Sequence, residues 1–305
     1  MAKVLFLGTS AATPKPRGTL PSIYLEYEGF GILMDVGEGT QYQLMKAKVG
    51  FSKVKVIVVS HMHGDHVLGL PGLIETMAMA SRKEDLIIIG PSDLKEFLVT
   101  SFKLTHFWPP FNIYFYPSPT KLEIKNIKIE TFPVNHTVES YGTKVEIELK
   151  RKVLVEKLEA EGLPKRFWGR LQRGERVSWM GKEYLPEDYT WRPRPIKVVY
   201  SGDTAPCERV ATEAREGDLL IHEATFTSDM EEEAHERGHS TAKDAALIAE
   251  KARVDSLIMT HFSNRYESLI KHLEEARRFF PNSFVAEDLS KYLILRRVRG
   301  PSSRP

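Results

Sequence analysis

Apolar positions recur along this chain with two periods. Short runs at residues 3–7, 22–27, 31–35, 54–59 and 86–89 are rich in Val, Ile and Leu and predict strands. Val67 to Ala80 is rich in Leu, Met and Ala, with Pro71 near its start, and predicts a helix. Ser92 to Phe102 predicts another, capped by Ser92 or Asp93. Residues 105–120 hold four prolines and many aromatics, which predicts a loop or irregular edge. Strands resume at 127–134 and 143–149. Lys150 to Glu161 reads as a helix ending at Gly162-Leu163-Pro164, and Gly169 to Arg194 reads as polar and irregular. Residues 150–195 are therefore expected to form an insertion or protruding arm within a single domain spanning 1–305. Strand and helix then alternate: strand 196–201, helix 207–215, strand 218–221, helix 241–252, strand 256–260, helix 266–279, and strands near 284 and at 292–298. Mixed strands flanked by helices in both halves predict a layered α/β fold.

The chemistry gathers where apolar runs end. His61-Met62-His63-Gly64-Asp65-His66 follows the strand at 54–59 and places three imidazoles and a carboxylate within six residues. That is the ligand set preferred by zinc and its neighbours. His136, Asp203, His222 and His261 each follow an apolar run as well. In sheets covered by helices, ligands gather outside strand ends, so these groups are expected to share one site. His61, His63, Asp65, His66, His136, Asp203 and His261 exceed what one metal needs. Two ions are expected, most simply bridged by Asp203. His106, His235 and His272 lack this context and read as surface or packing residues.

Composition narrows the class. A chain of 305 residues, 42% hydrophobic and 28% charged, can bury a large core, as one big domain or two smaller ones, and is ordinary for a soluble globular protein. No apolar stretch approaches the length of a membrane span, and the first residues read as a strand, not a signal peptide. The single Cys207 excludes an intrachain disulfide framework and suits a reducing cytoplasm. Net charge is only +2, but residues 150–176 hold nine Lys or Arg against four Glu. Phe167 and Trp168 lie beside Lys165 and Arg166 there. This pattern suits either a solvated helix face with a docking aromatic pair or contact with nucleic acid.

These motifs together resemble the metallo-β-lactamase superfamily: the His-x-His-x-Asp-His run, the lone His136, Ser201-Gly202-Asp203-Thr204 and His261. Narrower signals are Gly8-Thr9-Ser10-Ala11, His222-Glu223-Ala224-Thr225-Phe226, Gly238-His239-Ser240-Thr241 and Thr260-His261-Phe262-Ser263-Asn264-Arg265-Tyr266. They resemble ribonuclease Z, a family that removes 3′ trailers from transfer RNA precursors. The resemblance runs from Val4 to about Val298.

It implies a four-layer αββα sandwich with a metal pair at one sheet edge and an arm inserted between the His136 and Asp203 strands. It implies two zinc ions per subunit: His61, His63 and His136 on one, Asp65, His66 and His261 on the other, with Asp203 bridging. Asp35 resembles the family's aspartate that orients a ligand imidazole, although a turn residue is an equally available reading. Asp65 would serve the attacking water, His239 the scissile phosphate or leaving oxygen, and Glu223 would orient His239. The basic segment sits where the family carries its RNA-gripping exosite, which makes Lys165, Arg166, Trp168, Arg170 and Arg173 candidate RNA contacts. The resemblance further implies a cytoplasmic homodimer acting on precursor transfer RNA, with no membrane partner. The product would be a transfer RNA with a 3′-hydroxyl. The alternative is another metal-dependent hydrolase of the same fold, such as a small-molecule phosphodiesterase, lactonase or sulfatase.

Two departures stand out. Pro14-Lys15-Pro16-Arg17-Gly18 is out of register with the family's Pro-x-Lys-x-Arg, and Leu163-Pro164-Lys165-Arg166-Phe167-Trp168 replaces the exosite's usual Gly-Pro pair.

Overall fold

The structure, a computed structural model, describes residues 1–15 and 18–295. Pro16, Arg17 and the end of the strand expected at 292–298 thus lie outside the described residues.

Two mixed sheets pack face to face. The first holds β1 (Ala2–Gly8), β2 (Ser22–Tyr27), β3 (Phe30–Met34), β4 (Val54–Val58), β5 (Leu86–Gly90), β6 (Ile113–Pro117) and β18 (Lys291–Ile294), in the order β18-β1-β2-β3-β4-β5-β6. The second holds β7 (Lys121–Ile124), β8 (Ile127–Pro133), β9 (Tyr141–Ile147), β14 (Ile196–Tyr200), β15 (Leu219–Glu223), β16 (Leu257–Thr260) and β17 (Ser283–Val285), in the order β17-β16-β15-β14-β9-β8-β7. Strands β3 to β6 run parallel, as do β14 to β17. Their carboxyl ends therefore gather on one edge of each sheet.

Alternation along the strands divides the core into three slabs. Val4 and Phe6 of β1 and Val56 and Val58 of β4 meet Ile129, Val145, Val198 and Ile221 between the sheets. Their neighbours Leu5, Leu7 and Ile57 face the opposite way, under α1 (Thr40–Lys46), α3 (Leu70–Met79) and α4 (Leu94–Leu104). On the second sheet Val199, Leu220 and Met259 pack under α8 (Glu208–Ala214), α10 (Ala242–Ala252) and α11 (Ile270–Phe279). Each such side chain, once buried, contributes about 1.5–3 kcal/mol. The result is the expected four-layer αββα metallo-β-lactamase fold. Among the described residues no helix is long and apolar enough to cross a membrane.

Several local expectations need correction. The proline-rich stretch 105–120 contains the edge strand β6, which tolerates its terminal Pro117 because an edge needs only one set of ladder bonds. Strand β7 lay unread in a segment too polar for an apolar signal. The helix expected from Val67 starts at Leu70, after the short α2 (Gly64–Val67). Between them Gly69 lies so close to Gly37 that a Cβ would meet its carbonyl oxygen at 2.1 Å. Neither Ser92 nor Asp93 caps α4 with its side chain. By contrast, Thr241 and Asp244 form a full capping box on α10. Strand β15 continues through Glu223, so His222 lies within it and not past its end.

The segment 150–195 joins β9 to β14 and is more ordered than its polarity suggests. Its helices are α5 (Val155–Ala160), α6 (Trp168–Gln172) and α7 (Pro186–Tyr189), α5 being shorter than the expected helix 150–161. Strand β10 (Lys152–Val153) pairs with β13 (Thr190–Trp191) at its base, and β11 (Val177–Trp179) with β12 (Lys182–Tyr184) as a hairpin. Leu158, Leu163, Leu171, Val177, Tyr184 and Tyr189 pack on one another as a separate small core. They are spaced too widely for a periodic signal, which is why the sequence reads as irregular.

Candidate metal centre

The loop after β4 carries His61 and His63, and α2 (its third helical residue is His66) carries Asp65 and His66. The loop after β8 carries His136, that after β14 Asp203, and that after β16 His261. Strand ends from both sheets thus deliver all seven expected ligands to one place. Nε2 of His66 lies 3.3 Å from Nε2 of His261. Asp203 Oδ2 lies 3.3 Å from the first of these nitrogens and 3.2 Å from the second. Asp65 Oδ2 is 3.6 Å from His66 and 3.5 Å from His261. In a second group, His63 Nδ1 lies 3.2 Å from His136 Nε2, and the His61 ring packs against both. His61 Nε2 and Asp203 Oδ2 are 3.9 Å apart.

Hydrogen bonds assign the imidazole tautomers. His66 Nδ1 donates to Asp35 Oδ2 at 2.9 Å. Ser60 gives its hydroxyl proton to Asp35, so its oxygen accepts from His61 Nδ1 at 2.9 Å. Thr225 likewise donates to Glu223 Oε2 and accepts from His261 Nδ1 at 2.9 Å. His136 Nδ1 donates to the Gly238 carbonyl at 2.7 Å. Four rings therefore turn Nε2 toward the centre, and those of His61, His136 and His261 carry bare lone pairs there. Gly238 has φ +73°, and a Cβ there would sit 2.9 Å from the His136 ring.

Lone pairs that face one another without a proton between them repel, and the centre accumulates them. His61 Nε2 and Asp203 Oδ1 are buried without a hydrogen-bond partner. Among the described residues no Lys or Arg ion-pairs with Asp35, Asp65, Asp203 or Glu223; only imidazoles do. Burial works against charge on Asp203, yet the surrounding His261 and His66 hold its carboxyl well below the usual range. Burial likewise disfavours a charged His66, but Asp203 and Asp35 draw a proton to it and raise it well above the imidazole range. His61 moves the other way, driven down by burial and by the other imidazoles. A site that draws positive charge toward converging ligand atoms suits metal cations.

Beside this centre, Glu223 is fully buried on β15 and accepts from Thr204 N, Thr225 N and the Thr225 hydroxyl. Its Oε1 accepts from His239 Nδ1 at 2.9 Å. That fixes the tautomer of His239, which stacks on His261 with ring centroids 5.5 Å apart and remains partly exposed. Burial lowers the affinity of His239 for a proton, but the charges of Glu223 and Asp203 outweigh it and push the imidazole up to about 9. His222 is buried on the other face of β15 and donates to the Glu223 carbonyl, away from the centre. His235 pairs with Asp244, His272 is buried against Phe262 and Tyr266, and His106 is exposed.

Ser60, Tyr200 and Ala12 also serve the site and were not anticipated, while Thr225 and Gly238, which lie in the sequence motifs, had no role assigned. Tyr200, from the second sheet, donates to Asp35 Oδ2 at 2.8 Å, and the Ala12 amide donates to Asp65 Oδ2 at 2.8 Å. Hydroxyls and backbone groups leave no ligand-type signal in a sequence. The Gly8-Thr9-Ser10-Ala11 motif was the one available pointer to Ala12.

In the inserted segment, the five candidate RNA contacts divide. Arg170 and Arg173 share Glu175, Lys165 reaches Glu159, and Trp168 Nε1 donates to the Leu163 carbonyl while its ring packs on the small core. Arg166 stacks over Phe167 and Trp179, at 4.9 and 5.0 Å from their centroids.

Residues 2–155 match a family model described as anti-Pycsar protein Apyc1, and residues 190–262 match the beta-lactamase superfamily domain. The chain is 59% identical to ribonuclease Z of Ignicoccus hospitalis, over 97% of this chain and 99% of that one. It is 47% identical to ribonuclease Z of Sulfurisphaera tokodaii, over 96% and 99%. The crystal structure of the short form of human tRNase Z superposes with a TM-score of 0.71 at 26% identity, covering 96% of this chain and all of that one.

Proposed function

Because the chain belongs to the ribonuclease Z family, we propose that it is a zinc-dependent endoribonuclease that removes the 3′ trailer from transfer RNA precursors and leaves a 3′-hydroxyl. The observation that carries this reading is the convergence of bare ligand atoms at the sheet edge. Tetrahedral zinc with bonds of about 2.0–2.1 Å spaces its ligand nitrogens about 3.3 Å apart. The 3.2 and 3.3 Å nitrogen pairs fit that spacing.

His61, His63 and His136 would hold one ion and Asp65, His66 and His261 the other, with Asp203 between them. Bound there, zinc would supply a nucleophile at neutral pH and counter-charge for the phosphate. Asp65 orients the attacking water and accepts its proton. His239, held by Glu223, presents Nε2 to the scissile phosphate or to the leaving oxygen, to which it delivers a proton. The segment 150–195 grips the body of the RNA, a role that a small-molecule hydrolase would not need. Two subunits assemble so that one arm serves the other's centre, and the enzyme acts in the cytoplasm, where Cys207 stays reduced.

Zinc removal and readdition tests the reading. Chelated protein is expected to lose cleavage of both precursor RNA and bis-p-nitrophenyl phosphate, and two equivalents of zinc per chain are expected to restore both. Full activity in the metal-stripped protein overturns it. Sedimentation at micromolar protein is expected to give a dimer.

A further inference from the structure

We propose that Asp288 is a positioning residue for Asp65: it clamps both ends of the loop between β1 and β2, whose Ala12 amide holds the Asp65 carboxylate. This rests on the reading of Asp65 as the group that handles the attacking water.

Asp288 lies far along the chain, in the turn before β18. Its Oδ1 accepts from the Thr9 hydroxyl at 2.9 Å, and its Oδ2 accepts from the Thr19 amide at 2.7 Å. Gln43 on α1 completes the clamp. Its amide nitrogen donates to Leu7 O and Thr19 Oγ1, both at 2.8 Å, and stands 3.3 Å from Asp288 Oδ2. That nitrogen has two hydrogens, so the two short bonds use them and the third contact is the weak one. Among the described residues no Lys or Arg pairs with Asp288. The carboxylate is surrounded by neutral donors, and only an acceptor-only group satisfies the Thr9 hydroxyl and the Thr19 amide together without a proton out of place.

The clamped loop runs along the centre. Phe262, next to the ligand His261, exchanges backbone hydrogen bonds with Thr9 and Ala11 at 2.9 and 3.0 Å. Ala12 then turns with φ +59°, a left-handed conformation that an alanine keeps only where its surroundings hold it. The turn aims its N–H at Asp65 Oδ2, the oxygen that also faces His66 and His261. Rotation about the last bond of an aspartate is broad and two-fold. One fixed donor therefore decides which oxygen faces the ligand cluster and which is left for the water. A loosened loop would leave the other six ligands in place and misorient the Asp65 carboxylate.

The test uses the zinc-loaded full chain with Asp288→Asn, and with Thr9→Val as a milder variant that removes one hydroxyl should the first fail to fold. We expect kcat to fall between roughly tenfold and a hundredfold, the scale of small misplacements at a reacting group. The loss should be the same for bis-p-nitrophenyl phosphate and precursor RNA, with KM for RNA within twofold and two zinc ions retained. Hydrogen–deuterium exchange of the peptide spanning 9–15 should accelerate. Unchanged kcat on both substrates, or unchanged exchange across 9–15, overturns the proposal. So does a loss confined to RNA, which would make the loop an RNA contact. If the chain did not process RNA at all, the ester and exchange readouts would still decide the role of Asp288.

Discussion

Asp35 and His66, both fully buried, are joined at 2.9 Å by a bond from the imidazole Nδ1 to the carboxylate Oδ2. The same carboxylate accepts from the Ser60 amide and hydroxyl and from Tyr200. Asp35 itself sits at φ +59°, a conformation its dense bonding sustains. One side chain thus orients His66 directly and His61 through Ser60. Asp35→Ala should lower zinc affinity by roughly 10–100-fold, read by competition with a chromophoric chelator. Tyr200→Phe removes one of four donors and should cost less. Equal zinc affinity in Asp35→Ala and the parent would contradict this account.

Glu223 reaches two histidines, His239 directly and His261 through Thr225. His239→Ala should therefore keep both zinc ions and lose on the order of 10²–10⁴ in rate. Glu223→Ala should lose rate and also bind zinc more weakly. The double variant should fall far short of the product of the two losses, because the pair acts as a unit. Zinc loss in His239→Ala would instead make His239 a ligand.

The inserted segment yields a ranking. Among the described residues Arg166 has aromatic partners and no acidic one, whereas Arg170 and Arg173 share Glu175. Arg166→Ala should weaken precursor binding and reduce the slope of log affinity against log salt by about one. Arg170→Ala and Arg173→Ala should each do less. Trp168→Ala should unfold the segment locally, since that ring packs on its core. Filter-binding titrations across a salt series separate these outcomes.

His272 is buried and sets an acid limit. Burial drives its imidazole down to about 4. The unfolded chain takes up that proton near pH 6.5 and the folded chain only near 4, so stability falls as pH drops between those values. The loss should reach about 2 kcal/mol by pH 5. Denaturant unfolding of His272→Leu should show a shallower decline from pH 7 to pH 5 than the parent. Parallel declines would contradict the assignment.

The layers and the clustering of the seven candidate ligands were legible in the sequence for one physical reason. Apolar alternation marks strands, and costly imidazoles and carboxylates placed at strand ends mark a shared edge. Where the signal failed, the groups had no such signature. Ser60, Thr225 and the Ala12 amide act through hydroxyl and backbone hydrogen bonds available to many residues. His222 reads as a strand-end group near the site only because the apolar run stops at Ile221, two residues before β15 ends. The inserted segment read as irregular because its core comes from isolated apolar residues brought together by turns.

The central claim is tested most directly by mapping the 3′ ends produced from a trailer-bearing precursor transfer RNA by the zinc-loaded protein, with Asp65→Ala alongside. The account predicts one dominant cut at the base of the acceptor stem, leaving a 3′-hydroxyl on the transfer RNA. The cut should disappear in Asp65→Ala while precursor binding stays within severalfold. An intact precursor in the presence of a protein that hydrolyses small phosphodiesters, or an undiminished cut in Asp65→Ala with both zinc ions bound, would contradict it.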